Sequence, residues 1–240
     1  MRLDKYLADC GAGSRTEIKK LIRSGKVTVA GMAKVAPETQ IEPETAEVSL
    51  QGERVVYRKF IYLLLNKPAG YISATWDKEL PTVLNLVPKE YLHFAPFPVG
   101  RLDVDTEGLC LLTNDGQLSH RLLSPKNHVP KTYEATIDGC VTKEDQEIFL
   151  QGVVLSDGYK TKPAILEILS AAEVSKIRLT ITEGKFHQVK RMFEAVGKTV
   201  TYLKRIAMNR LTLDPDLKPG QIRELLPAEL ELLEEKDHDL

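Results

Sequence analysis

Residues 98–120, PVGRLDVDTEGLCLLTNDGQLSH, leave few choices of local structure. Leu109-Cys110-Leu111-Leu112 is a short apolar run ahead of Asn114-Asp115-Gly116, the pattern of a buried strand ending in a turn. Residues 117–123 then read as a helix stopped by Pro125. Asp103, Asp105 and Glu107 precede the run, and Asp115 follows it. Carboxylates gathered beside a buried strand can be metal ligands, a solvated turn, or a group that does chemistry.

The surrounding sequence gives that strand its partners. FIYLLLNKPAGYISA opens with a continuous apolar run, Phe60 to Leu65, as expected for a second buried strand. Further strands are predicted over residues 132–137 and over 176–182, where Ile177, Leu179 and Ile181 alternate. A helix over 186–196 stops at Gly197. The composition changes near residue 58, and from residue 60 to 235 the pattern predicts a mixed α+β body.

Residues 1–58 read as a separate small unit. Ser14 and Glu17 have the spacing of a capping box, which satisfies free N–H groups at a helix start. Ile18, Leu21 and Ile22 share one face of that helix, and Arg15, Lys19 and Arg23 share another. Gly25 ends it, and Val27 and Val29 alternate as in a strand.

The chain has 240 residues and a formal net charge of −1, which conceals a segregation. Residues 1–30 hold seven basic groups against three acidic ones, and residues 185–210 hold seven against Glu194 alone. Residues 224–240 reverse the sign, with seven acids against Lys236, and 236–240 are read as an acidic tail. Two basic patches in a near-neutral chain point to a polyanion, nucleic acid first among them. No apolar run approaches the roughly 18 residues of a membrane span, and the N-terminus lacks a signal-peptide core. Cys10, Cys110 and Cys140 lie far apart, so a reducing cytoplasm is expected, without a disulfide framework or zinc knuckle.

Of the three readings of the carboxylates, calcium matches weakly. Asp103-x-Asp105-x-Glu107-Gly108 imitates the start of an EF-hand loop, but Asn114 stands where the bidentate glutamate belongs. Asp105 and Glu107 read more simply as turn residues, with Gly108 permitting a tight bend. Asp103 differs because Arg101 lies two residues earlier, on the same side of an extended segment, and a guanidinium keeps a carboxylate ionised. An ionised carboxylate can attack a sugar C1′ or a polarised ring carbon.

GRLDVDTEGLCLLTNDG closely resembles the catalytic signature of pseudouridine synthases, in the branch that includes the bacterial small-subunit ribosomal RNA enzyme RsuA. NKPAGYIS (66–73), KTYEATI (131–137) and EGKFHQVKRMFEAVG (183–197) match in the same order. Residues 1–58 resemble an S4 RNA-binding domain at Ser14-Arg15, Leu21-Ile22, Gly25, Val27 and Val29. They depart from it at Ala30, where that family usually has Asn before Gly31.

The resemblance implies an S4-like module followed by a catalytic domain on a mostly antiparallel mixed sheet. It implies isomerisation of a ribosomal RNA uridine, most like the 16S enzyme, with Asp103 as nucleophile. Tyr133 would pack on the uracil, and Lys190 would stand where related branches pair an arginine with the aspartate. Arg101, Leu203 and Arg191 would contact the substrate; as read from the residues alone, Tyr133 is an ordinary half-buried strand tyrosine and Leu203 is equally a plain core residue. Arg15, Lys19 and Arg23 would grip RNA phosphates, and Lys185, Lys204 and Arg205 would extend that track. His187 would start a helix or touch RNA. The reaction adds no atoms and changes no oxidation state, so no cofactor or metal is implied. The expected partner is ribosomal RNA in an assembling small subunit, met by a monomer. A 23S rRNA target, a non-catalytic RNA-binding or ribosome-assembly factor, and a calcium module are the rivals.

Overall fold

The computed structural model describes residues 1–235; the acidic tail expected at 236–240 lies outside them. The chain parts into two compact units, residues 1–61 with 87–96, and residues 62–86 with 97 onward. The sequence places the change near residue 58 and gives no sign of the excursion at 87–96.

The first unit holds α1 (Leu3–Asp9), α2 (Arg15–Arg23), β1 (Val27–Val29), β2 (Val48–Leu50), β3 (Glu53–Val55) and the short α3 (Lys89–Leu92). Its three strands form one antiparallel sheet in the order β1-β2-β3. The capping box at α2 is present: the Glu17 carboxylate accepts from Ser14 N at 2.8 Å, and Ser14 Oγ accepts from Glu17 N. Leu3, Tyr6, Leu7, Ile18, Ile22, Val27 and Val48 fill the core. Leu21 only packs against it. Ala30 and Gly31 turn the chain between Val29 and Met32 with φ of 47° and 78°. That left-handed geometry suits Asn-Gly better than Ala-Gly, which explains the sequence departure there as a mild local strain.

The second unit is built on β4 (Tyr62–Lys67), β5 (Phe97–Pro98), β6 (Glu107–Thr113), β7 (Lys131–Asp138), β8 (Ile165–Ser170), β9 (Val174–Ile181), β10 (Thr199–Met208), β11 (Leu211–Thr212) and β12 (Ile222–Glu224). The order is β12-β4-β6-β10-β7-β9-β8, with β5 on β6 and β11 on β10. Only the β6–β10 pairing among these is parallel. The helices are α4 (Gly116–Leu123), α5 (Lys143–Gln151), α6 (Gln188–Ala195) and α7 (Pro227–Glu234). None among the described residues is long and apolar enough to cross a membrane.

Leu64, Leu109, Leu111, Leu118, Leu122, Met208 and Leu233 form one core cluster, and the Phe149 and Phe193 rings meet at 4.9 Å elsewhere. β4 reaches two residues past its apolar run, so Asn66 and Lys67 are buried as well. Gly108 has φ of 97°, and a Cβ there would lie 2.2 Å from the Arg205 carbonyl oxygen. The close approach of β10 to the start of β6 therefore requires glycine.

Candidate active site

Loop 99–106 joins β5 to β6 and carries Asp103. The chain turns directly after Asp103, where Thr106 N donates to Asp103 O. The end of β4 and the short segment after it hold this loop at several points. Lys67, fully buried, donates to the carbonyls of Asp103 at 3.0 Å, Val104 at 3.1 Å, Thr106 at 2.8 Å and Pro68 at 3.2 Å. Gly70 N donates to Val104 O at 2.8 Å. Ser73 Oγ donates to Leu102 O and accepts from Leu102 N, both at 3.0 Å. Backbone groups on both sides of Asp103 are thus fixed. Burial pulls the Lys67 pKa below the usual lysine value, while the nearby carboxylates favour its charged form.

Asp103 faces an open cavity of about 860 Å³. Its carboxylate, 28% exposed, has His187 Nε2 at 3.7 Å and Lys190 Nζ at 3.9 Å. Tyr133 on β7 and Leu203 on β10 line the same cavity, as do Arg101 and Lys185. Tyr133 and Leu203 are nearly buried, whereas Arg101 is exposed on the rim. Lys185 Nζ sits 4.6 Å from the Tyr159 ring centre. Tyr159, in turn, donates to Glu183, which also accepts from Gln188 and Lys162 N. That buried carboxylate ties the loop before α6 to the cavity wall.

Several expected placements change. Lys190 donates to both Asp105 oxygens at 2.7 Å and stands further from Asp103. Asp105 is therefore more than a solvated turn residue, and this bond holds its carboxyl below the usual range. Glu107 accepts from Tyr202 OH at 2.8 Å. The three carboxylates thus face different partners, and among the described residues no three His, Cys, Asp or Glu side chains gather as a metal site. Arg191 is absent from the cavity wall and pairs with Asp157 at 2.6 Å, away from the substrate role expected of it.

Lys204 and Arg205 cannot extend one surface track, because consecutive strand residues face opposite sides of a sheet. Arg205 is 3% exposed and belongs to the cavity wall, not an outer surface. Lys204 is half-buried, its side chain packed against Gly108.

The helix expected from Phe186 begins at Gln188. His187 is its N-cap, in left-handed backbone with φ of 49°, and its ring stacks on the 75%-exposed Phe186 at 3.8 Å. Sequence reading missed Lys67, Ser73 and Lys131, although all three lie inside quoted motifs. A charge closing an apolar run, as Lys67 does, was the available signal.

A family description, "RNA pseudouridylate synthase", matches residues 61–195, and an S4 domain matches residues 1–32. The chain is 53% identical over 236 residues to the RNA pseudouridine synthase YtzG of Bacillus subtilis (strain 168), covering 98% of this chain and 99% of that one. It is 42% identical over 238 residues to ribosomal small subunit pseudouridine synthase A of Escherichia coli (strain K12), covering 96% and 98%. A crystal structure of a pseudouridylate synthase superposes with a TM-score of 0.68 at 37% identity, covering 97% of this chain and 99% of that one. With an S4 domain ahead of the α+β unit that carries Asp103, the chain belongs to the RsuA family of RNA pseudouridine synthases, isomerases that act on RNA.

Proposed function

We propose that the protein isomerises a uridine of 16S ribosomal RNA to pseudouridine, with Asp103 as nucleophile on a flipped-out nucleotide. The observation that carries this reading is the half-buried Asp103 carboxylate on a loop pinned on both sides, sharing one cavity with Tyr133. A fixed carboxylate facing a cavity large enough for a nucleoside meets the geometric need of attack at C1′ or at the ring. Base eversion into such a site costs a few kcal/mol of unstacking.

In this mechanism Asp103 attacks, the C1′–N1 bond breaks, and the uracil turns and rejoins through C5. Tyr133 packs on the ring and assists removal of the C5 proton. Lys190 holds Asp105, and its ammonium stands 3.9 Å from the Asp103 carboxylate. Leu203 supplies an apolar wall, while Arg101 and Lys185 on the cavity meet the RNA backbone. Residues 1–58 bring the RNA through Arg15, Lys19 and Arg23, and residues 60–235 carry out the chemistry. The protein acts as a cytoplasmic monomer, without a cofactor, on an assembling small subunit. Support for the 16S target is the 42% identity to the Escherichia coli small-subunit enzyme across nearly both chains.

Mapping pseudouridine in rRNA from cells lacking the protein, and regaining it, tests the target. One 16S site should vanish and return; a site in 23S rRNA would move the assignment to the large subunit. Asp103→Asn should cut turnover by roughly 10⁴-fold or more while RNA affinity holds. Wild-type turnover in that variant would refute the nucleophile.

A further inference from the structure

The mechanism above leaves one group on the cavity wall without a task. Arg205 is buried, and its Nε donates to Leu109 O at 2.7 Å, which ties β10 to β6. Its Nη2 is buried with no acceptor, and among the described residues no protein acceptor pairs with Nη1. A structural tie between strands would need only the Nε bond. A buried guanidinium with idle donors is costly unless something else accepts from it.

The surroundings say what that acceptor is. Tyr133 is the register partner of Arg205 across β7 and β10, and Leu203 lies two residues before it on the same face. Both line the cavity that Asp103 faces. Lys131 and Lys162 line it too, and Lys131 donates to the carbonyls of Val129 and Leu122. Of the carboxylates there, Glu183 is occupied by Tyr159, Lys162 N and Gln188, while Asp103 is the proposed nucleophile. This wall is cationic and short of acceptors, so it suits a ligand that becomes negative during the reaction.

We propose that Arg205 is a further catalytic residue, whose idle N–H groups donate to a carbonyl oxygen of the detached uracil and hold its negative charge. This rests on the reading of Asp103 as nucleophile. An Asp103 oxygen bonds to C1′, the C1′–N1 bond breaks, and its electron pair stays on N1. The resulting monoanion spreads over the ring oxygens, where a fixed guanidinium stabilises it without giving up a proton. The C5–C1′ bond then forms, the carboxylate leaves, C5 loses a proton and N1 gains one. Atoms and electrons balance with no co-reactant. An in-plane carbonyl acceptor also lets the contact pass from one ring oxygen to the other as the base turns.

The test compares wild type with Arg205→Gln on unmodified 16S and 23S rRNA transcripts made with uridine or with 5-fluorouridine. Single-turnover formation of rearranged nucleosides is followed by chromatography of nuclease digests. Fluorine acidifies the ring, so its anion needs less help. On the uridine transcript the variant should lose on the order of a hundredfold in rate with RNA affinity kept. On the fluorinated transcript the loss should shrink by about tenfold or more. An equal loss on both, or a loss expressed as affinity alone, overturns the proposal. If Arg205→Gln does not fold, Arg205→Lys is judged by the same ratio. A wild type that modifies neither the uridine transcripts nor small-subunit particles assembled on the 16S transcript would instead overturn the reading of the whole site.

Discussion

Arg15 and Arg23 stand exposed on α2 with no hydrogen bond or ion pair among the described residues, whereas Lys67, Lys131 and Arg205 are buried around the cavity and donate to backbone carbonyls. The first pair can exchange water for phosphate at little expense to the fold. The second set is part of the fold, because each buried cation is held by backbone carbonyls of neighbouring segments. Equal charges therefore do unequal work. Exposed cations set adhesion and its salt dependence, while buried ones set backbone position and the field in the cavity.

The largest expected effect is at Lys67. Lys67→Met should lower stability by about 3 kcal/mol in denaturant unfolding, since it removes the side-chain donor to the Thr106 carbonyl and one of two donors to each of the Asp103 and Val104 carbonyls. A loss under about 1 kcal/mol would erase the distinction drawn between the two sets.

Lys131 sharpens the comparison through pH. Burial, with the charges of Arg205 and Lys162, lowers its pKa from 10.5 to about 8. Below pH 8 the amine is charged in folded and unfolded chains alike, and the burial penalty acts in full. Between about 8 and 10.5 the unfolded chain keeps the proton and the folded one does not, so stability rises with pH. Wild type should gain on Lys131→Met across that window; parallel stability curves would show that the amine titrates as if exposed.

Replacing Arg15, Lys19 and Arg23 with Ala should leave stability within about 0.5 kcal/mol of wild type. It should reduce the slope of log affinity against log salt by about 2. An unchanged slope would remove α2 from the RNA surface. The smallest effect is Ala30→Asn, which should stabilise the first unit by about 0.5 kcal/mol by relieving left-handed backbone. Destabilisation would contradict the turn geometry.

Local features were readable in the sequence. The Ser14–Glu17 capping box, the β6 strand with its turn, and the alternation of Ile177, Leu179 and Ile181 depend on neighbours a few residues away. Lys67 was not, because its carbonyl partners on the loop lie 36 to 39 residues further on. Nor was the Asp105–Lys190 pair, separated by 85 residues. The basic excess of residues 185–210 is partly compensated, unseen in the sequence for the same reason. Lys190, Arg191, Lys198 and Arg210 are paired with Asp105, Asp157, Asp145 and Glu235, none of which lies in that window. A charge count along the chain cannot see carboxylates delivered by topology.

The latching of loop 99–106 has a kinetic corollary. With the main chain held on either side of Asp103, its carboxylate has two side-chain torsions left to explore. On the role proposed for Asp103, the protein then has little left to arrange before bond breaking, and the slow motion falls to the nucleic acid.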